Sequence, residues 1–164
     1  MDKYIGISED RLHHIIGVAR KAYQLAKSMD CDEDFARKMF MVGWVHDVGY
    51  EFSKEQAEHP GISSEMLHQL VCSNKIYDTS VSSKTTHAIQ HHGRYSDDAV
   101  SNLAWKIINL ADMQIDSKGN EVDAMDRLAD IKERYGEHSD QYLTACDICY
   151  KIGLTATNLA SLTT

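Results

Sequence analysis

Apolar residues recur along almost the whole chain at the three-and-four spacing of an α-helix. No stretch sustains the strict alternation of a half-buried strand. Proline, which breaks a helix from within, occurs once among 164 residues, at Pro60. Together these features confine the fold class to all-α, as one helical bundle of six or seven helices.

Capping and breaking residues divide that pattern. Ser8 is a good N-cap for a first helix to about Ser28, with an apolar stripe through Leu12, Ile15, Ile16, Ala19, Ala22, Tyr23 and Ala26. A second helix is expected from about Asp32 to Asp47. Its stretch Met39-Phe40-Met41-Val42-Gly43-Trp44-Val45 is apolar all round, so it is expected to be the buried central helix. A third starts near Pro60, whose fixed φ suits a first turn, and fades near Ser73-Asn74. A fourth runs from about Ser80 to His92 and stops at Gly93, and a fifth from about Asp97 to Ile115. Gly119-Asn120 breaks the chain, and two more helices follow, about Val122–Tyr135 and Ser139–Leu159.

The length suits one domain over residues 1–164, large enough to fold without staples. With 43% hydrophobic and 26% charged residues the usage is that of a globular chain. Four cysteines are too few for a disulfide scaffold. The longest apolar run, Met39 to Val45, cannot span a bilayer, so no membrane partner is expected. Met1-Asp2-Lys3-Tyr4 has neither the basic nor the apolar region of an export signal, which makes the cytoplasm the expected location. The net charge of −8 disfavours nucleic acid as a partner. A small anionic substrate stays open if a metal supplies positive charge.

Nine histidines are the compositional oddity. His46-Asp47 ends the most hydrophobic helix, where an ionised carboxylate needs a partner or a metal. A helix end with His46 on the carbonyl dipole and Asp47 in water explains the pair equally well. Convergence favours the metal. On the first helix His13 shares a face with Arg20, Gln24 and Lys27, whereas His14 shares one with Val18 and Leu25, so His14 points inward. Asp112 aligns with Trp105 and Ile108 on the fifth. Imidazole and carboxylate suit Zn, Mn, Fe, Ni or Co, with Mg admissible. The absence of paired thiolates nearby argues against a closed structural zinc site. An open N/O site is what metal-assisted hydrolysis needs, because the metal acidifies bound water and polarises a phosphoryl oxygen.

The order His14, His46-Asp47, Asp112 resembles the HD superfamily of metal-dependent phosphohydrolases. Arg11-Leu12-His13-His14-Ile15-Ile16-Gly17-Val18-Ala19 is similar to its opening helix, Trp44-Val45-His46-Asp47-Val48-Gly49 to its central motif, and Leu110-Ala111-Asp112 to its closing Ala-Asp. The resemblance spans about residues 8–118, with C-terminal helices over about 120–160. It implies an all-α HD domain and His14, His46, Asp47 and Asp112 as ligands of one metal. By the same analogy Asp47 also contacts the attacking water or bridges to a second metal.

His59-Pro60-Gly61-Ile62-Ser63-Ser64-Glu65 and Ala88-Ile89-Gln90-His91-His92-Gly93 resemble segments of the two-metal branch, which includes symmetrical diadenosine-tetraphosphate hydrolases and some cyclic-dinucleotide phosphodiesterases. They imply a binuclear centre with His59 and one or both of His91 and His92 as further ligands. His87 and His91 also have metal-compatible i, i+4 spacing, which the family pattern does not use. No Gly-Tyr-Pro follows His91-His92-Gly93, a departure from the cyclic di-GMP phosphodiesterases. Arg11, Arg94 and Lys118 adjoin motif residues and are candidates to contact phosphate, Arg as a fork.

The remaining features read as structural. Cys146-Asp147-Ile148-Cys149 is a lone CxxC, best placed on a buried helix face. Glu121 to Arg134 reads as a solvated, charge-alternating face, and His68 and His138 as surface residues.

The expected activity is metal-dependent hydrolysis of a phosphoester or phosphoanhydride bond in a nucleotide or related small phosphate, with Asp47 catalytic and one or two divalent metals per chain. The alternatives are a two-iron HD-type oxygenase with the same ligands, and an inactive nucleotide-sensing domain. The partner expected is the small-molecule substrate, and a homodimer is compatible with the chain.

Overall fold

Side-chain caps set where the helices begin. The Ser8 side chain accepts from the Arg11 N–H, Asp32 from Phe35, Asn102 from Ala104 and Trp105, Asp123 from Met125 and Ser139 from Tyr142. Each such cap stabilises a helix start by about 1 kcal/mol. The computed structural model describes residues 6–53, 58–72, 83–94 and 102–153. Among them lie seven α-helices: α1 (Glu9–Ser28), α2 (Glu33–Val45), α3 (His59–Cys72), α4 (Ser83–Gln90), α5 (Leu103–Met113), α6 (Ala124–Tyr135) and α7 (Asp140–Lys151). A 3-10 turn, Val48–Glu51, follows α2, and one isolated antiparallel bridge joins Ile115 to Glu121. The described residues form no named strand, so the fold class is all-α. None of their helices is long and apolar enough to cross a membrane. The expected start at Ser80 and the expected end at Leu159 lie outside the described residues. The helix expected from about Asp97 to Ile115 instead starts at Leu103, because Asn102 is extended and caps it, and it ends at Met113.

Two residues close the last helix among the described residues. It stops at Lys151 because Ile152 caps it and Gly153 turns to φ 78, the left-handed conformation that ends helices.

The helix that occupies the centre is α5, not α2. Ala104, Trp105, Ile107, Ile108, Asn109, Leu110, Ala111 and Met113 are all buried along α5, which contacts α1, α2, α4 and α6. On α2, Met39, Val42, Gly43 and Val45 face inward, while Phe40 and Trp44 stack on each other at 6.3 Å and Trp44 is 40% exposed. Aromatic stacking at the surface thus shelters the outer side of a helix that local sequence alone would bury. Leu12 also leaves its expected stripe and is 43% exposed.

Helices α1 and α2 cross closely at Gly43. A Cβ there would lie 2.6 Å from the Ala19 Cα, so only glycine lets the two backbones approach.

Two apolar clusters result. The larger joins α1, α2, α4 and α5 through residues such as Val18, Met39, Val42, Ile89, Trp105 and Ile108. The smaller packs Leu110 and Met113 of α5 against Ala124, Leu128, Ala145 and Cys149 of the α6–α7 hairpin. Cys149 is buried and Cys146 half-buried, as free thiols. His68 and His138 lie at the surface.

Candidate metal centre

The site starts from the end of α2. His46 caps that helix, Asp47 follows, and the chain turns at once through Val48-Gly49. Gly49 is required there: a Cβ would fall 2.2 Å from the His59 carbonyl oxygen. The Gly49 N–H donates to Ser63 Oγ at 2.8 Å. This contact ties the turn after Asp47 to the N-terminal half of α3, so His59 arrives beside Asp47.

Four imidazoles surround the buried Asp47 carboxylate, and its two oxygens divide them. Oδ2 lies 3.8 Å from His14 Nε2 and 3.6 Å from His46 Nε2. Oδ1 lies 3.1 Å from His59 Nε2 and 3.3 Å from His92 Nε2. His59 and His92 present their Nε2 atoms to each other at 3.0 Å. Asp112 joins from α5, its Oδ1 3.0 Å from His14 Nε2.

Backbone carbonyls fix three of these rings. His14 Nδ1 faces the Asp116 carbonyl at 2.9 Å, His46 Nδ1 that of Gly43 at 2.6 Å, and His92 Nδ1 that of Ile89 at 2.6 Å. A carbonyl oxygen only accepts, so each Nδ1 carries the proton and each neutral ring turns an Nε2 lone pair inward. This is the usual outer-shell arrangement of a metal-binding histidine. His46 Nε2 is buried and has no hydrogen-bond partner among the described residues. Such an orphan costs about 1–3 kcal/mol unless a cation takes its lone pair. Two sets of donors lie close enough to hold an ion: His14, His46 and Asp112, and His46, Asp47 and His92. The donor set and the orphaned nitrogen both fit a divalent transition metal.

The family model described as HD domain matches residues 11–131, from Arg11 through every motif residue and into α6. The chain belongs to the HD domain family. No curated protein and no solved structure matches it.

Within this HD domain, burial and charge oppose each other. Burial lowers the His46 pKa to about 4 against the pull of Asp47, so its lone pair is free at neutral pH. Burial also disfavours the charged forms of His14 and His92, yet Asp112 on the first and Asp47 on the second outweigh it and raise both. His59 is lowered, because burial outweighs Asp47. Burial pushes Asp47 upward, but His46, hydrogen bonds to His59 and His92, and the Arg11 charge hold it well below the carboxylate range. His14 does the same for Asp112 against burial.

Arg11 pairs directly with Asp47 Oδ2 and lies over the Tyr50 ring, 4.2 Å from its centroid. Tyr50 in turn stacks on His59 at 4.0 Å. A cavity of about 380 Å³ opens on these groups, with Arg94 also in its lining. That volume lies toward the small end of ligand sites, about 300–1,000 Å³.

The histidine pair separates. His92 joins the cluster, whereas His91 lies against His87, ring centroids 4.1 Å apart, and does not line the cavity. Both follow α4 in a turn closed by the His92 N–H on the Ile89 carbonyl at 3.3 Å, which leaves His92 buried and His91 half-buried. Lys118 is exposed and also outside the lining.

Three contributors escaped sequence reasoning. Asn109 is buried, accepts from the Gly93 N–H at 2.9 Å and donates to the Trp105 carbonyl at 2.8 Å, which holds the turn carrying His92. Its signal was a lone amide between apolar neighbours, Ile107-Ile108 and Leu110-Ala111. Tyr50 carried no signal beyond following the motif glycine. Arg127 was hidden in a charged run read as solvated; it lines the cavity and pairs with Asp130 at 2.9 Å.

Proposed function

We propose that this HD domain is a metal-dependent phosphohydrolase with a binuclear centre, acting on a phosphoester or phosphoanhydride bond of a nucleotide or related small phosphate. One observation carries the reading: the two oxygens of Asp47 face two different sets of histidines, His14 with His46 and His59 with His92. A carboxylate so placed suits a bridge between two ions, as in the two-metal branch of the family. Asp112 completes the first set.

Bound divalent metal supplies Lewis acidity, making water nucleophilic at neutral pH and offsetting phosphoryl charge. Zn, Mn, Fe, Ni and Co all suit these ligands. The protein's own groups do the rest. The Asp47 carboxylate orients the attacking water. The Arg11 guanidinium, a planar fork at the cavity wall, takes phosphoryl oxygens. In the reaction the water oxygen bonds to phosphorus, the bond to the organic group or the next phosphate breaks, and the departing oxygen takes a proton.

The test loads metal-free protein with manganese or iron and follows phosphate release from a panel of nucleotides. Asp47→Ala is expected to reduce turnover to background while its helical circular dichroism stays unchanged. Undiminished turnover in that variant would sink the assignment. Elemental analysis is expected to give two metals per chain, and one would remove the bridge. Oxygen uptake by the iron-loaded chain without phosphate release would replace hydrolysis with an oxidative reaction.

A further inference from the structure

The wall of the cavity formed by α7 comes from beyond the segment that matches the family model, which ends at Ile131. Gln141, Thr144, Ala145 and Ile148 recur at i, i+3, i+4 and i+7, so they form one stripe on α7, and all four line the cavity. Ala145 and Ile148 are buried, and Gln141 and Thr144 are half-buried. Leu143, Asp147 and Tyr150 face outward. The stripe is therefore graded, polar in its first turn and apolar in its second. Its seat is firm, because Ala145 and Cys149 pack in the smaller apolar cluster with Leu110 and Met113. Those two residues belong to α5, the helix that also carries Asp112, so the wall and the metal centre share one support.

We propose that this stripe is the specificity wall that reads the organic part of the substrate, and that it takes a nucleoside-class group. The proposal rests on the phosphohydrolase reading only for placing the phosphate at Arg11 and the histidine cluster. A carboxamide offers donors and an acceptor together, and a hydroxyl offers both in one atom, which suits the edge of a heterocycle or a sugar. Ile148 and Ala145, with Met113 and Ile131 also in the lining, supply the apolar surface against which a flat ring packs. Asp140 opens the same helix and lines the same cavity, and its carboxylate disfavours a second phosphate there. Arg127 lines the cavity with its guanidinium paired to Asp130 at 2.9 Å, and Arg94 lies in the lining as well. The simplest ligand that places one phosphate at Arg11 and an organic group on the stripe is a nucleoside monophosphate.

The test measures binding by calorimetry on the manganese-loaded full chain. The probes are inorganic phosphate and the common ribo- and deoxyribonucleoside 5′-monophosphates. At least one nucleotide is expected to bind more tightly than inorganic phosphate. Gln141→Ala and Thr144→Val are each expected to weaken that nucleotide about threefold to tenfold, the value of one neutral hydrogen bond. The Kd for inorganic phosphate stays unchanged, and Thr144→Ser restores nucleotide affinity. The proposal is overturned if no nucleotide binds better than phosphate, if the variants leave nucleotide affinity intact, or if they weaken phosphate equally. The two readings fail separately. Nucleotide binding that depends on α7 without any turnover defeats the hydrolase assignment alone. Hydrolysis of p-nitrophenyl phosphate with nucleotide affinity indifferent to α7 defeats this proposal alone.

Discussion

The helices that carry the histidine cluster and the C-terminal hairpin face one cavity but are built differently. Besides the side chains of the larger cluster, the helices that carry the histidines approach through backbone: Gly43 lies against Ala19, Gly49 against the His59 carbonyl, and His14 Nδ1 against the Asp116 carbonyl beyond α5. The hairpin α6–α7 meets α5 through side chains, with Leu128 and Ala145 in the smaller cluster and Ile148 in the larger. Backbone contacts leave no freedom to repack, whereas side-chain contacts tolerate volume-conserving change. The first construction suits a group of ligands that must converge within a few ångströms. The second suits a wall whose shape changes while the chemistry behind it is kept.

The sharpest way to break that contrast is Gly49→Ala. The new methyl would enter the His59 carbonyl at 2.2 Å, and that backbone cannot swing aside as a side chain can. Overpacking of this kind costs about 3 kcal/mol. Urea unfolding is expected to show that loss, and elemental analysis a loss of metal from the folded fraction. Full metal occupancy in a stable Gly49→Ala protein would mean that α2 and α3 are joined less rigidly than argued.

A cavity in the hairpin gives a comparable loss of stability with the opposite consequence for metal. Leu128→Ala removes a buried side chain of the smaller cluster, at a cost of about 2 kcal/mol. Metal content is expected to stay at the wild-type value. If metal were lost as well, the two regions would form one cooperative unit and the contrast would fail.

The smallest effect is electrostatic and is read by NMR titration of the histidines in metal-free protein. His46 is expected to stay neutral down to about pH 4, because it is fully buried. His14 and His92 are expected to titrate above the ordinary value of 6.5, because Asp112 and Asp47 favour their charged forms. The consequences for stability oppose each other. As pH falls from 6.5 to about 4 the unfolded chain takes up a proton at His46 that the native chain refuses, so stability drops. His14 and His92 stabilise below 6.5 and lose that contribution as pH rises through their raised native values. A His46 that titrates like an exposed imidazole would remove the argument for its inward lone pair.

Much of the fold was legible from local chemistry. Ser8, Asp32 and Ser139 cap helices because their side chains reach N–H groups within the next few residues, a matter of short-range geometry. The inward turn of His14 and the outward turn of His13 follow from helical period alone, and His14 is 2% exposed. Asp112 was placed by the same rule. What periodicity cannot report is which sides of a helix its neighbours cover. That is why the Met39–Val45 stretch of α2, apolar all round, keeps an outer face at Trp44 while α5 is buried along most of its length.

The chain's own sequence therefore determined the all-α class, the helix starts at Ser8, Asp32 and Ser139, and the turn of His14 and Asp112 toward the site, because these depend on contacts within a few residues. Tertiary structure alone decided that His92 rather than His91 meets Asp47, that Asn109 holds its turn, that Tyr50 stacks on His59, and that α7 walls the cavity. Each of these depends on where separate helices cross. A crossing is set by the sum of many packing contacts, which no local window of sequence contains.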